Sequence, residues 1–246
     1  GGIDPHDPLA QCEFLGELAL SGDLRAINGT LPAGIAAAGA KRQLIVPLPN
    51  LDEAALPDRQ QTRGAAHLLE VTAHLQNQSP LCCAADTTST ARPTTNADLA
   101  DVRGQSRARR ALEIAAAGGH NLLMIGPPGA GKTMLASRLP SILPPLVADE
   151  LLEVSMIASI AGALDNGRLT MRRPFRAPHH SASMAAMVGG GIRVRPGEAS
   201  LAHHGVLFLD ELPEFRRNAL EPLRQPMEER RITVARGAGA VTFPAA

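Results

Sequence analysis

The sequence predicts an α/β fold, a parallel sheet with helices on both faces, preceded by a smaller α/β domain. Three observations predict it. Short apolar runs alternate with segments of helical spacing, which favours parallel strands joined through helices. A glycine-rich turn separates the apolar run at 121–125 from a helical segment. A stretch at 84–98, rich in Thr, Ala and Pro, lacks periodicity and reads as a linker. The predicted domains are therefore 1–83 and 99–246.

The first domain alternates compact apolar runs with turn signals. A strand is expected at 14–20, because FLGELAL is closed by the turn residues Ser21-Gly22-Asp23. A short helix with a glycine stop is predicted at 31–40, and QLIVPLP at 43–49 is typical of a buried strand. The spacing of AAHLLEVTAHLQ at 65–76 predicts a helix.

The second domain begins with an amphipathic helix at 106–117 that stops at Gly118-Gly119. NLLMI at 121–125 is predicted as a strand, and a helix starts near Lys132 until Pro140 ends or kinks it near Leu139. The remaining predicted elements are a buried strand at 205–211, a helix at 218–229, and a β-hairpin at 232–243 that turns at Gly237-Ala238-Gly239.

Composition excludes two classes of protein. An apolar share of 44% is ordinary for a chain with a packed core, and no run of 18 apolar residues could span a bilayer. Neither low-complexity disorder nor a membrane-embedded protein is expected. Three cysteines make no disulfide framework, which indicates the reducing cytoplasm. Because the chain lacks an initiator Met and stops in mid-pattern, we expect it to be part of a longer protein.

The formal net charge of zero conceals two halves of opposite sign. Residues 1–100 carry 6 basic and 11 acidic side chains, whereas residues 101–246 carry 18 basic and 13 acidic ones. Six arginines lie within 168–204 against the single acid Glu198. The second half can therefore present a positive surface to a polyanion.

A phosphate-binding loop is predicted at 126–133, where GPPGAGKT fits the pattern G-x-x-x-x-G-K-[ST]. Glycines allow successive N–H groups to point at phosphate oxygens, and the following helix N-terminus adds partial positive charge. Lys132 would meet the β- and γ-phosphates, and the hydroxyl of Thr133 would reach Mg²⁺. The residues assigned to ATP are Gly126, Pro127, Pro128, Gly129, Ala130, Gly131, Lys132 and Thr133.

A carboxylate pair follows the predicted strand VLFLDE. Asp210 is the candidate for holding Mg²⁺, and Glu211 the candidate for polarising the attacking water. Strands often end in solvated acids, so the pair alone is weak evidence. Its occurrence 78 residues after Lys132, in a chain that already has the loop, makes a nucleotide hydrolase the stronger interpretation.

Together these motifs resemble the AAA+ ATPases of the magnesium-chelatase-like group. The resemblance rests on GPPGAGKT, RPFRAPHHSAS at 173–183 and PGEASLAHHGVLFLDELPEF at 196–215, and within the group it is to the ComM/YifB competence-protein family. It implies that VRGQ at 102–105 covers the adenine, with Val102, Gly104 and Gln105 beside the base. It also implies that the acidic first domain is similar to the Lon-protease-like domain (ribosomal S5 domain 2-like fold) of that family.

The family's Ser–Lys peptidase dyad has no counterpart at the matching position, which is Ala33. We therefore expect no peptidase activity. The family's sensor asparagine, arginine finger and helical lid would follow Ala246. This chain is accordingly expected to bind ATP and to hydrolyse it poorly by itself.

The resemblance further implies a homo-oligomeric ring of six subunits, whose pore is lined by an insertion matched by 184–204 and by the hairpin at 232–243. Arg193, Arg195 and Arg236 are the resulting candidates for DNA phosphate contacts. Few aromatic residues (5 Phe, no Trp, no Tyr) leave little for base stacking. The alternative is that these arginines are solvated or paired with acids.

Two histidine pairs, His179-His180 and His203-His204, raise the question of a metal. Neighbouring side chains on a strand point to opposite faces, which favours no zinc site. The family motif implies that the first pair orders its loop.

The favoured function is an ATP-dependent DNA motor for branch migration or strand exchange. The alternatives are a magnesium-chelatase ATPase subunit that acts with a tetrapyrrole enzyme, and an ATPase that remodels proteins.

Overall fold

The structure, a computed structural model, describes residues 8–84, 98–164, 169, 171–191, 194–236 and 239–246. The chain forms two compact units. Unit 1 comprises Gly1–Ala91 with Ala158–Leu169, and unit 2 comprises Arg92–Ile157 with Thr170–Ala246. Among the described helices, none has the length and apolar character needed to cross a membrane.

Unit 1 is built on a parallel sheet in the order β1-β4-β5. Its strands are β1 (Cys12–Phe14), β2 (Glu17–Leu18), β3 (Leu24–Arg25), β4 (Gln43–Pro47) and β5 (Thr62–Ala65), and its helices are α1 (Thr30–Ala40), α2 (Leu51–Ala54) and α3 (Leu68–Leu75). Strands β2 and β3 pair antiparallel. The buried strand β4 fits the sequence pattern, because its two faces pack against different partners. Leu44 and Val46 contact the cluster of α1 and α2, and Ile45 packs with Val71 of α3.

Unit 2 contains the predicted phosphate-binding loop. Its helices are α4 (Ser106–Gly118), α5 (Lys132–Ala136), α6 (Leu139–Ile142), α7 (Ala148–Ala161, its end in unit 1), α8 (Met184–Val188), α9 (Glu198–Leu201), α10 (Arg217–Leu220) and α11 (Arg224–Glu229). Its strands are β6 (Phe175–Arg176), β7 (Gly189–Gly190), β8 (Arg195–Pro196), β9 (Val206–Leu207), β10 (Arg231–Arg236) and β11 (Gly239–Pro244).

Two apolar clusters support the site in unit 2. Around the fully buried Met187, Phe215 and Ile232 pack with residues of α8, α10 and the hairpin. The second cluster joins Leu112 of α4 to Leu135 of α5. Strands β6 and β9 pair in parallel, with Phe175 opposite Val206. The chain is thus an α/β protein with parallel strand pairing, as the sequence predicts.

The prediction of a strand at 121–125 is wrong for this structure. These residues pair with no strand in the part of the chain that is described, and Leu123 and Ile125 are 69% and 89% exposed. Met124 points the other way and packs against the cluster of α4 and α5. An apolar run becomes a strand only when a neighbour accepts its backbone hydrogen bonds.

Other boundaries differ from expectation in length. The expected strand at 14–20 is divided between β1 and β2, and the strand expected at 205–211 has ladder pairing only over β9. Helix α5 ends at Ala136, before Pro140, which lies in the first turn of α6. Helix α1 ends at Ala40, and the left-handed residue that follows it is Lys41 rather than a glycine. The hairpin pairs Arg231 with Pro244 through Arg236 with Gly239, and its tip, 237–238, lies outside the described residues.

Candidate functional site

The phosphate-binding loop of unit 2 has the backbone that its glycines permit. Gly129 and Gly131 have φ values of 78° and 82°, a region that side chains with a Cβ rarely adopt. Gly131 directly precedes α5, which begins at Lys132. The Lys132 ammonium donates to the carbonyl oxygens of Gly126 and Pro127 at 3.0 and 3.1 Å. The positive charge is therefore held against the concave side of the loop, where phosphate oxygens would compete for it.

The two nucleotide motifs meet through one short contact. The Thr133 hydroxyl donates to Asp210 Oδ2 at 2.6 Å, between residues 77 positions apart in the chain. The second carboxylate oxygen, Oδ1, accepts the Glu211 backbone N–H at 3.0 Å. Both oxygens of Asp210 are thus held by hydrogen bonds, and the expected grouping of hydroxyl and carboxylate is present.

The residues at this contact fit a magnesium ion. Mg²⁺ prefers oxygen ligands and retains several waters, so one or two protein oxygens beside substrate phosphates suffice. The Thr133 hydroxyl and the Asp210 carboxylate would supply such oxygens, and Lys132 would add a cation for the phosphates. This donor set matches a nucleotide–Mg²⁺ complex better than it matches a soft metal, which would favour thiolate or imidazole ligands.

Glu211 is the exposed member of the carboxylate pair. Its side chain is 66% exposed, and its backbone is left-handed, with φ 54°. His180, in the loop that follows β6, places Nδ1 3.3 Å from Glu211 Oε2. The family resemblance implies a loop-ordering role for the first histidine pair, and no signal in the sequence connects that pair with Glu211.

The segment predicted to cover adenine reaches the phosphate-binding loop through Gln105. Its Nε2 donates to the Ala130 carbonyl at 3.1 Å. Val102 is 3% exposed, with its side chain in the core of α4 and α5, so only its backbone remains to face a base. Gly104 has open space around it. The structure brings this segment to the loop, and the adenine contact itself stays a prediction.

The predicted nucleic-acid residues are only partly described. Arg195 is exposed and belongs to β8, which pairs antiparallel with the glycines of β7. Arg193 lies outside the described residues. Arg236 ends β10, and only its backbone is described. The role of these three arginines therefore stays a prediction.

The second histidine pair forms a cluster that the sequence did not predict. The Nε2 atoms of His203 and His204 both lie 2.8 Å from Glu153 Oε2 of α7, and the two ring centroids lie 3.8 Å apart with the rings tilted by 39°. The assumption that the pair points to opposite faces is wrong, because both residues lie in a turn and His204 has φ 55°. No local sequence signal marks Glu153, which is 50 residues away from His203.

This cluster is a hydrogen-bonded tether rather than a metal site, although its ligand atoms lie within 4.8 Å of one another. The Ala246 N–H donates to His203 Nδ1 at 2.9 Å, so the proton of neutral His203 is on Nε2. A histidine that ligates through Nε2 normally donates its Nδ1–H to a neighbour, and here Nδ1 is an acceptor. Burial lowers the pKa of His203, and hydrogen bonds from both histidines lower the pKa of Glu153.

The chain is similar to one protein family and to several curated proteins, and these matches agree with one another. A family profile described as "Magnesium chelatase, subunit ChlI" matches residues 98–246. The competence protein ComM of Haemophilus influenzae is 48% identical over 241 residues, which are 96% of this chain and 47% of ComM. YifB of Salmonella typhimurium is 50% identical over 95% of this chain and 46% of its own length.

A more distant relative is the Holliday junction branch migration complex subunit RuvB of Clavibacter michiganensis. It is 32% identical over 160 residues, covering 59% of this chain and 34% of RuvB. The chain spans about half the length of the ComM and YifB relatives that it matches.

Proposed function

The chain belongs to the magnesium chelatase subunit ChlI family, and from that membership we propose that it binds ATP with Mg²⁺ as the nucleotide-binding part of a DNA-acting motor. The observation that carries the proposal is the 2.6 Å contact between Thr133 and Asp210. It joins the residue after the loop lysine to the acid at the end of the second motif. The contact therefore places a hydroxyl and a carboxylate, both oxygen ligands of the kind that Mg²⁺ prefers, side by side.

The proposed chemistry assigns each group one task. Loop N–H groups and Lys132 bind the phosphates, and Thr133 with Asp210 would hold the ion. Mg²⁺, when bound, neutralises charge on the β- and γ-phosphate oxygens. Glu211 would accept a proton from the water whose oxygen bonds to the terminal phosphorus. The bond from that phosphorus to the bridging oxygen then breaks, and ADP leaves with the electron pair.

The DNA substrate is proposed from relatives and charge. ComM is named as a competence protein, and RuvB as a subunit of a complex that migrates Holliday junctions. The second name refers directly to a DNA structure. The excess of basic residues in 101–246 suits a phosphate backbone. We infer a homo-oligomeric, hexameric ring with Arg193, Arg195 and Arg236 facing DNA in its pore.

The proposed division of the chain gives 1–83 to a Lon-protease-like domain, 84–98 to a linker and 99–246 to the front of the AAA+ core. We propose no peptidase activity for the first domain, because Ala33 stands where the family's dyad has its lysine. The whole protein that contains this chain would carry out hydrolysis and DNA movement.

The test of the nucleotide site uses K132A and E211Q in the full-length protein. We expect K132A to weaken MgATP binding by at least about tenfold, because it removes charge-assisted hydrogen bonds. E211Q should bind ATP normally and lower hydrolysis by about 10²–10⁴-fold. The control K41A changes the chain's only other lysine. Equal ATP affinity in K132A and K41A would contradict the assignment.

The second candidate function is that of a magnesium-chelatase ATPase subunit, which the family profile favours. DNA separates the two candidates, because ATP turnover by the DNA motor should rise on addition of branched or single-stranded DNA. A rate of ATP turnover that does not change on addition of DNA, at any salt concentration tested, would favour a magnesium-chelatase subunit or a protein-remodelling ATPase. Proteins that co-purify with the full-length chain then decide between those two.

A further inference from the structure

The turn at 203–205 connects the end of the β10–β11 hairpin with the strand that leads to the second nucleotide motif. On one side of the turn lies Ala246, which follows β11. Its N–H donates to His203 Nδ1 at 2.9 Å, and its carbonyl oxygen accepts the His204 N–H at 2.9 Å. On the other side, β9 follows the turn and leads to Asp210. The hairpin and the proposed magnesium ligand are thus joined through this turn.

Both partners of the contact are themselves held in place. Ala245 is buried in the cluster around Met187, and its N–H donates to the Arg230 carbonyl at 2.9 Å, across the base of the hairpin. On the turn, the Arg173 guanidinium donates to the His204 carbonyl at 2.7 Å. Energetic coupling between sites travels through such chains of hydrogen bonds and rigid elements. A displacement of the hairpin end therefore reaches the turn directly.

His203 supplies the side-chain part of this connection. Its side chain is 4% exposed, and its two ring nitrogens meet different partners. Nε2 lies 2.8 Å from Glu153 Oε2, and Nδ1 accepts the Ala246 N–H. A backbone N–H can only donate, so the ring holds Ala246 only while Nδ1 keeps its lone pair. The carboxylate of Glu153 favours that tautomer, because it accepts the proton on Nε2.

We propose that His203 is a positioning residue that couples the hairpin to the second nucleotide motif. Through Nδ1 it fixes the end of β11 on the turn before β9, so that ligands at the hairpin and at Asp210 bias the same segment. This role rests on the proposed function, because it takes DNA as the ligand of the hairpin and MgATP as the ligand of the site. Each ligand then changes the affinity for the other by the same factor.

Asparagine and glutamine separate the tasks of the two ring nitrogens. In H203N the side-chain oxygen is bonded to Cγ, as Nδ1 is, so it can still accept the Ala246 N–H. In H203Q the amide lies one atom further from the backbone, near the place of Nε2, so it keeps a donor for Glu153 and gives up the contact with Ala246. Positioning of Ala246 predicts that coupling survives in H203N and is lost in H203Q. A role limited to holding Glu153 predicts the reverse.

The experiment measures the affinity of the full-length protein for a synthetic branched DNA, without nucleotide and with a non-hydrolysable MgATP analogue. The ratio of the two affinities reports the coupling without any hydrolysis step. We expect H203Q to bring this ratio closer to one by about twofold to thirtyfold, and H203N to keep it within about twofold of wild type. Affinity for the analogue alone should not change in either variant. The matched control is H120Q, which replaces an exposed histidine that follows α4.

The outcomes distinguish this role from the proposed function itself. If the wild type binds both ligands and its ratio is one, or if H203Q keeps the wild-type ratio, the coupling role is overturned and the two binding sites stand. If H203N is impaired as much as H203Q, the ring acts by packing and the role is equally overturned. A wild type that binds the nucleotide analogue and no DNA overturns both the coupling and the DNA motor.

Discussion

At the scale of single residues, Asp210 is held by two donors of different kinds. Thr133 donates from its side chain and Glu211 from its backbone, so the two hydrogen bonds fix the plane of the carboxylate. A preoriented anion interacts more strongly with a developing or arriving charge than one that must first reorganise.

The substitution D210N tests the role of this carboxylate. Asparagine has nearly the same shape and can still accept the Thr133 hydrogen bond, but it carries no charge. We expect ATP binding in EDTA to be unchanged and the gain in affinity on adding Mg²⁺ to fall by about tenfold. Titration of the full-length variant with ATP, with and without Mg²⁺, measures both quantities.

The control for this substitution is D149N, which neutralises an exposed acid in the first turn of α7. A D210N protein that keeps the full magnesium effect would show that the ion is held elsewhere. Loss of binding in EDTA as well would indicate that the substitution disturbs the loop rather than the ion.

At the scale of elements, local sequence signals predict helices and turns, whereas they do not predict which distant segments pair with each other. Helix α4 follows from its periodicity, and its left-handed cap at Gly119 follows from the glycine. The phosphate-binding loop is equally local, since eight consecutive residues contain it. The segment 121–125 has the composition of a strand and no partner among the described residues, because pairing depends on chain that periodicity does not describe.

The candidate site divides in the same way. Lys132, Thr133, Asp210 and Glu211 could be assigned from motifs whose chemistry is known. The contact of His180 with Glu211 needs the loop after β6 to fold back beside β9, and the tether of Glu153 to His203 needs α7 to pack beside a turn. No residue spacing in the sequence predicts these two contacts, because each depends on how separate elements pack together.

The tether predicts that acid destabilises unit 2. Burial lowers the pKa of His203. Below about pH 6.5, therefore, His203 binds a proton in the unfolded chain more readily than in the folded chain. Hydrogen bonds from His203 and His204 lower the pKa of Glu153, so its stabilisation is present above its unfolded pKa and is lost at lower pH. Both groups therefore reduce the free energy of unfolding as the pH falls.

H203Q measures the contribution of the histidine, because glutamine keeps an amide donor for Glu153 and does not titrate. Between about pH 7 and pH 5.5, the melting temperature of wild type should fall more steeply than that of H203Q. The difference corresponds to at most about 1.4 kcal/mol per pH unit, the limit for one proton. Glu150 is a further acid close to the histidine pair, with Oε1 3.7 Å from His204 Nδ1. The variant E150Q removes its charge and so shows how much of the pH dependence comes from Glu150. Parallel curves for wild type and H203Q would contradict this assignment.

At the scale of the whole molecule, the distribution of charge matters more than its sum. A formal net charge of zero would give no steering of a polyanion, yet 18 basic against 13 acidic residues in 101–246 make that half positive. Several of these arginines are neutralised locally. Arg176 forms a two-pronged pair with Glu198 at 2.6 and 2.7 Å, and Arg173 pairs with Glu150 at 2.9 Å. The exposed Arg195 is a better candidate for DNA than either.

The salt dependence of DNA binding tests this choice in the full-length protein. Each phosphate contact releases counterions, so removal of one contact should reduce the slope of log K against log salt by about 1. We expect R195A to reduce the slope by about that amount, and a variant with R193A, R195A and R236A to reduce it by up to about 3. R110A is the matched control, because Arg110 is exposed and already pairs with Glu113 at 2.9 Å. If R195A and the triple variant have the same slope as R110A, these arginines do not contact DNA phosphates. A lower affinity for DNA without a change of slope would indicate a contact with a group other than phosphate.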